Sequence, residues 1–161
     1  MASCTISRPL PSGRKLYITL TSDGSGLLSI HLSTDGEEKA CDDPFLRGVA
    51  GQIYEYFQGA RREFDVKISP SALKGSTPFQ RAVWAATSRI PYGKAETYGE
   101  IAQVIGRPRS SRAVGNALGK NPLPLIVPCH RIVSSPGLGG FSGGGPEIKE
   151  FLLAVERGEK L

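Results

Sequence analysis

The chain has 161 residues, of which 39% are hydrophobic and 22% charged, and a formal net charge of +5, a composition typical of globular rather than disordered proteins. No apolar run approaches the roughly 18 residues of a membrane span, and the N-terminus lacks the basic head and apolar core of a signal peptide. We therefore expect a soluble intracellular protein without a membrane partner, in the cytoplasm or, for a eukaryotic source, the nucleus.

The three cysteines, Cys4, Cys41 and Cys129, lie far apart in the sequence and form no C-x-x-C pair. Their odd number and wide spacing do not favour a disulfide framework or a four-cysteine zinc site. A reducing compartment and the absence of any metal or cofactor are expected.

Positive charge is concentrated in the second half of the chain. Residues 1–75 hold nine basic and nine acidic residues, whereas residues 76–131 hold eight basic residues against two acidic ones, a net charge of +6. A clustered basic surface is typical of proteins that bind polyanions, above all nucleic acid, although a solvated surface without a partner has the same composition.

The first half is expected to form a small α/β domain, residues 1–75, within an α+β protein. KLYITLT and LLSIHLS alternate apolar and polar residues on either side of SDGSG, which predicts an antiparallel hairpin. DPFLRGVAGQIYEYFQG has apolar residues at helical spacing, and EFDVKI alternates as a further strand would.

A segment rich in Ser, Pro and Gly, residues 69–78, coincides with the change in charge and predicts a domain boundary. The second domain, residues 76–161, is expected to be mostly helical. Thr77 begins one capping box and Thr97 another. The second box opens the helix TYGEIAQVIG, and a tight turn leads to the helix SRAVGNALG, a pattern typical of a helix-turn-helix. GPEIKEFLLAVERG predicts a final helix that packs on the core.

Many helix-turn-helix corners bind nothing, but basic residues favour DNA binding here. Arg107, Arg109 and Arg112 cluster at the turn and at the start of the second helix. Arg112 is the one long side chain able to enter a base stack; a phosphate contact or an ion pair with Glu96 or Glu100 is the simpler alternative. Small residues on the second helix predict close approach to the DNA backbone with little sequence readout. These residues are Ala113, Gly115, Asn116, Ala117 and Gly119.

The segment IVPCHRIV places Cys129 between a proline and a histidine. A lone cysteine among apolar residues is often an inert part of the core. A neighbouring cation or base, however, lowers the pKa of a thiol and supplies the thiolate that acts as nucleophile. On an extended strand His130 would point away from Cys129, so a water would relay the proton, and Glu156 is a candidate to orient the imidazole.

The following stretch, SSPGLGGFSGGGP, is a Gly-rich loop that lacks the pattern of a phosphate-binding loop. Such a loop lets the backbone approach a flat ligand closely, or it serves only as a flexible connection.

The segment IPYGKAETYGEIAQVIGRPRSSRAVGNALGKNPLPLIVPCHRIV resembles the O6-alkylguanine-DNA alkyltransferases, the methylated-DNA-protein-cysteine methyltransferases. The resemblance covers Thr77 to about Arg157, and the combination of PCHR with SRAVG and NPLP is highly specific. It implies stoichiometric, single-turnover transfer of the alkyl group from O6-alkylguanine, with O4-alkylthymine as a further substrate, from double-stranded DNA to a cysteine of a monomeric protein.

The resemblance also implies roles for individual residues. Cys129 would accept the alkyl group, His130 would be the water-linked base, and Glu156 would stand behind it. Tyr98 would contact the extruded nucleotide and donate a proton, Arg112 would fill the vacated place, and Asn121 would brace the helix-turn-helix. The pocket would be lined by Tyr98, Pro124, Ile132, Phe141, Ser142 and Gly143.

One departure concerns Phe141, where many relatives have Tyr, so that a different donor must serve the leaving oxygen. Three other functions stay open on the residues alone: lesion recognition without catalysis, a helix-turn-helix regulator, and a cysteine hydrolase. Cys129, the small residues of the second helix and the missing oxyanion signature disfavour them in that order.

Overall fold

The computed structural model describes residues 1–135, 137–141 and 143–161. It begins with an antiparallel sheet of order β1-β2-β3, formed by β1 (Ala2–Pro9), β2 (Lys15–Ser22) and β3 (Leu27–Ser33). The predicted hairpin is confirmed as β2 and β3, where alternate side chains such as Leu16, Ile18 and Leu20 are fully buried. The strand β1 lies outside the prediction, because Cys4 and Ile6 are its only buried apolar residues.

The helix α1 (Pro44–Phe57) packs on the sheet, as its apolar spacing predicts, and Asp43 caps it by accepting the N–H of Leu46. The predicted strand EFDVKI is wrong, since only Ile68 forms a bridge, to Leu27. The reason is local: the Gln52 side chain on α1 takes both the N–H and the carbonyl of Asp65, at 2.9 and 2.8 Å, in place of a neighbouring strand.

The prediction against a disulfide is wrong for one pair, because Cys4 and Cys41 are bonded to each other. Thr5 and Lys39 exchange two backbone hydrogen bonds of 3.0 Å, so the segment before α1 runs beside β1 and brings the two sulfur atoms together. Sequence spacing does not reveal this bridge. Cys129 is the free cysteine.

The second half contains the helices α2 (Pro78–Thr87), α3 (Tyr98–Val104), α4 (Ser111–Leu118) and α5 (Pro146–Glu156). Both predicted capping boxes are confirmed, at Thr77 and at Thr97. The Trp84 indole donates to the Ala117 carbonyl at 2.8 Å and joins α2 to α4. No helix in the described part of the chain combines the length and the apolar character that crossing a membrane requires.

A short parallel pair brings the helix-turn-helix beside the cysteine. The strand β4 (Glu96–Thr97), directly before α3, pairs with β5 (Ile132–Val133). Cys129–Arg131 form a 3-10 turn immediately before β5. The expected extended strand at Cys129 is therefore wrong. The Ile30 N–H on β3 donates a hydrogen bond of 2.9 Å to the Pro122 carbonyl in the second half of the chain. Buried side chains from both halves form one apolar cluster.

Candidate active site and nucleic-acid interface

A cleft of about 660 Å³ lies between the helix-turn-helix, the cysteine turn and the Gly-rich loop. This volume is in the range of sites for small molecules. The structure brings five of the predicted site residues together along its walls: Tyr98, Arg112, Gly115, Cys129 and Phe141. Its other described lining residues are Thr97, Gly99, Ser111, Leu118, Gly119, Ser134, Ser135 and Gly140.

Tyr98 forms one wall of the cleft because it begins α3 directly after β4. Its hydroxyl donates to the Gly140 carbonyl at 3.3 Å, and its ring lies beside Gly115, where an added Cβ would be 3.7 Å from the ring. Burial raises the pKa of the Tyr98 hydroxyl, so this group keeps its proton and stays available as a donor.

Cys129 lies at the inner end of the cleft with 7% of its surface exposed. Burial raises the pKa of its thiol, against the opposing effects of the Asn121 amide and the positive charge of Lys149. The expectation that a neighbouring base lowers the thiol pKa is therefore wrong. His130 follows Cys129 in the chain, but its ring is hydrogen-bonded to Glu156. The resting cysteine holds its proton at neutral pH, and chemistry at sulfur requires a base to remove it.

His130 is almost completely buried behind Cys129. Its Nε2 lies 2.5 Å from Oε2 of Glu156, and its Nδ1 is buried without a hydrogen-bond partner among the described residues. Because an ionised carboxylate only accepts hydrogen bonds, Nε2 carries the proton and Nδ1 of the neutral ring keeps its lone pair. Burial lowers the pKa of His130, and Arg131 and Lys149 add to this effect while Glu156 opposes it. The ring is thus neutral, and Nδ1 is the nitrogen that can accept a proton.

Glu156, at the end of α5, is the centre of this buried network. Burial alone would raise the pKa of its carboxyl, but hydrogen bonds from His130 and Arg131 hold that pKa well below its usual range. The donors to Oε1 are Arg131 Nε at 2.8 Å and the Gly93 N–H at 3.0 Å. The donors to Oε2 are His130, Tyr56 at 2.6 Å and Arg131 Nη2 at 3.1 Å.

Two residues of the site, Tyr56 and Lys149, lie outside the sequence prediction. Tyr56 occupies a core position of α1, where spacing alone indicates packing. Lys149 offers a clearer signal, because it shares the apolar face of α5 with Leu152, and a lysine there needs partners. Its fully buried ammonium donates to the carbonyls of Ile132 at 2.5 Å and Gly140 at 3.0 Å, and burial lowers its pKa to about 8.

The predicted DNA-binding residues lie on one exposed corner of the molecule. Arg112 is at the rim of the cleft, and no ion pair joins it to Glu96 or Glu100 within the described residues. The exposed residues beside it are Arg107, Arg109, Ala113 and Asn116, with Gly115 half-buried. Ala117 is buried against α2 rather than on the exposed face of α4, which corrects its expected place.

The remaining predicted residues do not line the main cleft in the described chain. Asn121 accepts the Leu123 N–H at 2.9 Å and donates to the Val127 carbonyl at 3.0 Å, and so holds the segment before the cysteine. Pro124 and Gly143 line a smaller cavity of about 160 Å³, which reaches Cys129 from the side of β3.

The other two predicted pocket residues are Ile132 and Ser142. Ile132 is fully buried in the core. Ser142 lies outside the described residues. Within the described ranges no group of three His, Cys, Asp or Glu side chains is placed to hold a metal ion.

Comparison with known proteins identifies the family. Residues 78–158 match the DNA-binding domain of 6-O-methylguanine DNA methyltransferase, and residues 17–70 match its ribonuclease-like domain. A methylated-DNA--protein-cysteine methyltransferase of Methanosarcina acetivorans is 47% identical over 116 residues, 71% of each chain. The constitutive enzyme of that name from Bacillus subtilis is 45% identical over 117 residues, 72% of this chain and 68% of the relative.

Solved structures agree with the sequence relatives. Mycobacterium tuberculosis OGT in complex with DNA is 39% identical, with a TM-score of 0.75 over 94% of this chain and 91% of that one. The O6-methylguanine methyltransferase of the same organism is 34% identical, with a TM-score of 0.74 over 99% and 96%. The protein belongs to the 6-O-methylguanine DNA methyltransferase family.

Proposed function

We propose that this protein repairs DNA by moving the alkyl group from O6 of guanine to the sulfur of Cys129. The observation that carries the proposal is the position of Cys129, at the inner end of a cleft with an arginine-bearing helix at its rim and a neutral histidine base behind it. The names of the sequence relatives and the DNA complex of the mycobacterial structure support it.

The DNA partner is a duplex, bound largely without regard to sequence. Arg107 and Arg109 contact phosphates, and the small exposed residues Ala113, Gly115 and Asn116 let α4 approach the sugar-phosphate backbone closely. Binding of this kind depends strongly on salt, since it releases counterions from the DNA. One chain carries the whole of this DNA-binding surface, so the protein is proposed to act as a monomer.

An alkyl group on O6 lies inside the duplex, so the nucleotide leaves the base stack before it reacts. Extrusion costs a few kcal/mol, less for a poorly paired base. Arg112 fills the vacated place, Tyr98 and Phe141 bound the extruded base, and Asn121 holds the segment that carries the cysteine. Ser142 keeps its predicted place near O6 as part of the proposal. Pro124 and Gly143 line the smaller cavity beside Cys129, and Ile132 supports the site from the core.

The chemistry is one substitution at a saturated carbon. A water carries the thiol proton of Cys129 to Nδ1 of His130, and the resulting sulfur anion attacks the alkyl carbon. The carbon–sulfur bond forms while the bond from carbon to O6 breaks, and the electron pair of that bond stays with guanine. Tyr98 protonates the departing base, and the proton held on His130 passes through water to the Tyr98 phenolate, so that both groups regain their resting state.

The product is a thioether, and no second free thiol among the described residues can take up the alkyl group. Cys4 and Cys41, the other two cysteines, are bonded to each other. Each molecule is therefore proposed to act once. O4-alkylthymine presents the same alkyl–oxygen bond and is proposed as a weaker substrate.

The test is transfer of radiolabelled methyl from O6-methylguanine DNA to protein, together with the intact-protein mass. The wild type is expected to gain one label and the mass of one methylene, because methyl replaces the thiol hydrogen. Cys129→Ala is expected to gain neither. The double variant Cys4→Ala, Cys41→Ala is the matched control and should be labelled like the wild type.

Label on Cys129→Ala would refute the mechanism. Tight binding of the lesion by the wild type without transfer would instead indicate a recognition protein. Preference for one operator-like DNA sequence would indicate a regulator.

A further inference from the structure

Tyr56 is the one contact that the first half of the chain makes with the catalytic carboxylate, among the described residues. It lies on α1, is completely buried, and is 100 positions from Glu156 in the sequence. Its hydroxyl is 2.6 Å from Oε2 of Glu156 and 3.5 Å from Nε2 of His130. No sequence pattern indicates this contact.

Aromatic packing fixes the place of that hydroxyl. The Tyr56 ring lies 5.6 Å from Phe57, 5.5 Å from Phe64 and 6.0 Å from Tyr92, measured between ring centroids. Such tilted and edge-on arrangements are favourable for aromatic pairs. The orientation of the hydroxyl is thus set by α1, by the segment after it and by Tyr92 after α2, rather than by the turn that carries Cys129.

The hydroxyl shares one acceptor atom with the base. Glu156 is ionised and has no proton to give, so Tyr56 donates and Oε2 accepts. Nε2–H of His130 is directed at the same oxygen, from 2.5 Å. With Arg131 Nη2 at 3.1 Å, three donors share this oxygen, and each weakens the hydrogen bonds of the other two. Burial and the charge of Glu156 raise the pKa of Tyr56 well above its usual value, so the hydroxyl stays a donor throughout the range in which histidine titrates.

We infer that Tyr56 is a positioning residue for the proposed alkyl transfer: by occupying Oε2 of Glu156 it limits how strongly that carboxylate holds the proton and the ring of His130. The inference rests on the proposed function for its consequence, but the contact itself does not. It gives the first half of the chain a part in the chemistry, because α1 then sets the strength of a base that lies in the second half.

The direction of the effect follows from the surrounding charges. Without the Tyr56 donor, Oε2 attracts Nε2–H more strongly, and the protonated ring gains more from this than the neutral ring. Arg131 and Lys149 oppose protonation in both cases, and Tyr92 is next to Tyr56. The titratable and charged groups around the network are Tyr56 on α1, Arg62 after α1, Tyr92 after α2, Cys129 and Arg131 in the cysteine turn, and Lys149 and Glu156 on α5.

The experiment is histidine NMR of Tyr56→Phe, which removes the hydroxyl and keeps the ring. The chain has two histidines, the buried His130 and the exposed His31 on β3, so the second is an internal reference. The titration midpoint of His130 is expected to rise by about 0.5–1 pH unit, the size of one hydrogen bond. That of His31 is expected to stay unchanged.

Tyr54→Phe is the matched control, since Tyr54 lies on the same helix with 44% of its surface exposed. It should move neither histidine. A His130 midpoint that is unchanged or lowered in folded Tyr56→Phe overturns the inference. A role in packing alone would lower the melting temperature without moving the midpoint.

Single-turnover rates with free O6-benzylguanine connect the result to function. The acid limb of the rate profile is expected to move upward with the His130 midpoint, so that Tyr56→Phe is slower than the wild type on the acid limb and equal to it on the alkaline plateau. A shifted midpoint in a protein that transfers no alkyl group would refute the proposed function and leave the Tyr56 contact established. A wild-type rate profile with an unmoved His130 midpoint would refute the inferred role of Tyr56 and leave the proposed function intact.

Discussion

The two sides of Cys129 are built differently. The front is an open cleft with the exposed Arg112 at its rim and small residues such as Gly115 on its wall. The rear is closed: His130, Arg131 and Glu156 are all less than a tenth exposed and are joined by short hydrogen bonds. In the proposed mechanism, recognition belongs to a surface with few fixed contacts, and proton transfer belongs to a network in which His130, Arg131 and Glu156 are hydrogen-bonded to one another.

This difference indicates how each side tolerates change. A buried charge that loses its partner is strongly destabilising, because neither water nor another group replaces the lost interaction. An exposed arginine that is removed leaves no such deficit. Changes at the rear should therefore affect both stability and chemistry, whereas changes at the arginine-bearing rim of the front should affect the DNA-dependent steps alone.

Glu156→Gln is expected to have the largest effect. It leaves the Arg131 guanidinium buried without a counter-ion and removes the charge that orients His130. We expect the free energy of unfolding to fall by about 3 kcal/mol and the transfer rate by at least about 100-fold, measured by urea unfolding and single-turnover labelling.

The control is Glu150→Gln on the same helix, where the carboxylate pairs with Arg157 at the surface. Stability there should change by less than about 0.5 kcal/mol. Equal losses in the two variants would contradict the closed character of the rear.

Arg112→Ala tests the front. Repair of duplex DNA is expected to slow by about 10- to 100-fold, because the vacated place in the stack is no longer filled. Reaction with free O6-benzylguanine should keep its wild-type rate and the protein its melting temperature. Arg109→Ala should instead weaken binding to all duplexes alike and reduce the salt dependence. Loss of the free-base reaction in Arg112→Ala would place this residue in the chemistry.

Low pH should destabilise the folded protein through the buried His130 behind Cys129. Burial lowers the pKa of His130 in the folded protein, whereas the unfolded chain binds a proton near pH 6.5. The unfolded state therefore takes up the proton first, and stability falls as the pH drops below about 6.5. Thermal unfolding at several pH values should show a smaller slope for His130→Asn, while His31→Asn keeps the wild-type slope. A wild-type slope in His130→Asn would assign the acid sensitivity to other groups.

The smallest effects are expected at the two capping boxes, which form a matched pair. Thr77→Ala and Thr97→Ala should each lower the free energy of unfolding by about 1 kcal/mol, since each leaves one N–H at a helix start unpaired. Only Thr97→Ala should also slow transfer, by a few-fold, because α3 carries Tyr98 into the cleft. A slower transfer in Thr77→Ala as well would mean that general stability, and not the position of Tyr98, determines the rate.

Much of the fold could be predicted from the sequence because its signals are local. Alternation at Leu16, Ile18 and Leu20 and the boxes at Thr77 and Thr97 act over a few residues, and the structure has the hairpin and the helices there. The segment around Cys129 indicated a candidate nucleophile for a similar reason, since Pro128 and His130 are its neighbours in the chain, but the lowered thiol pKa expected from such a neighbour was wrong.

Other features depend on residues that are far apart in the chain and were decided by the tertiary structure. The Cys4–Cys41 bond exists because Lys39 runs beside β1, and the high pKa of the Cys129 thiol results from burial that no local pattern records. His130 meets Glu156 26 positions away, and Tyr56 meets it 100 positions away. By itself, the sequence determined where the hairpin, most of the helices and the candidate nucleophile would be, because backbone geometry and side-chain periodicity are local properties. Only packing decided which buried polar groups meet, because the free energy of a buried charge depends on every group that surrounds it.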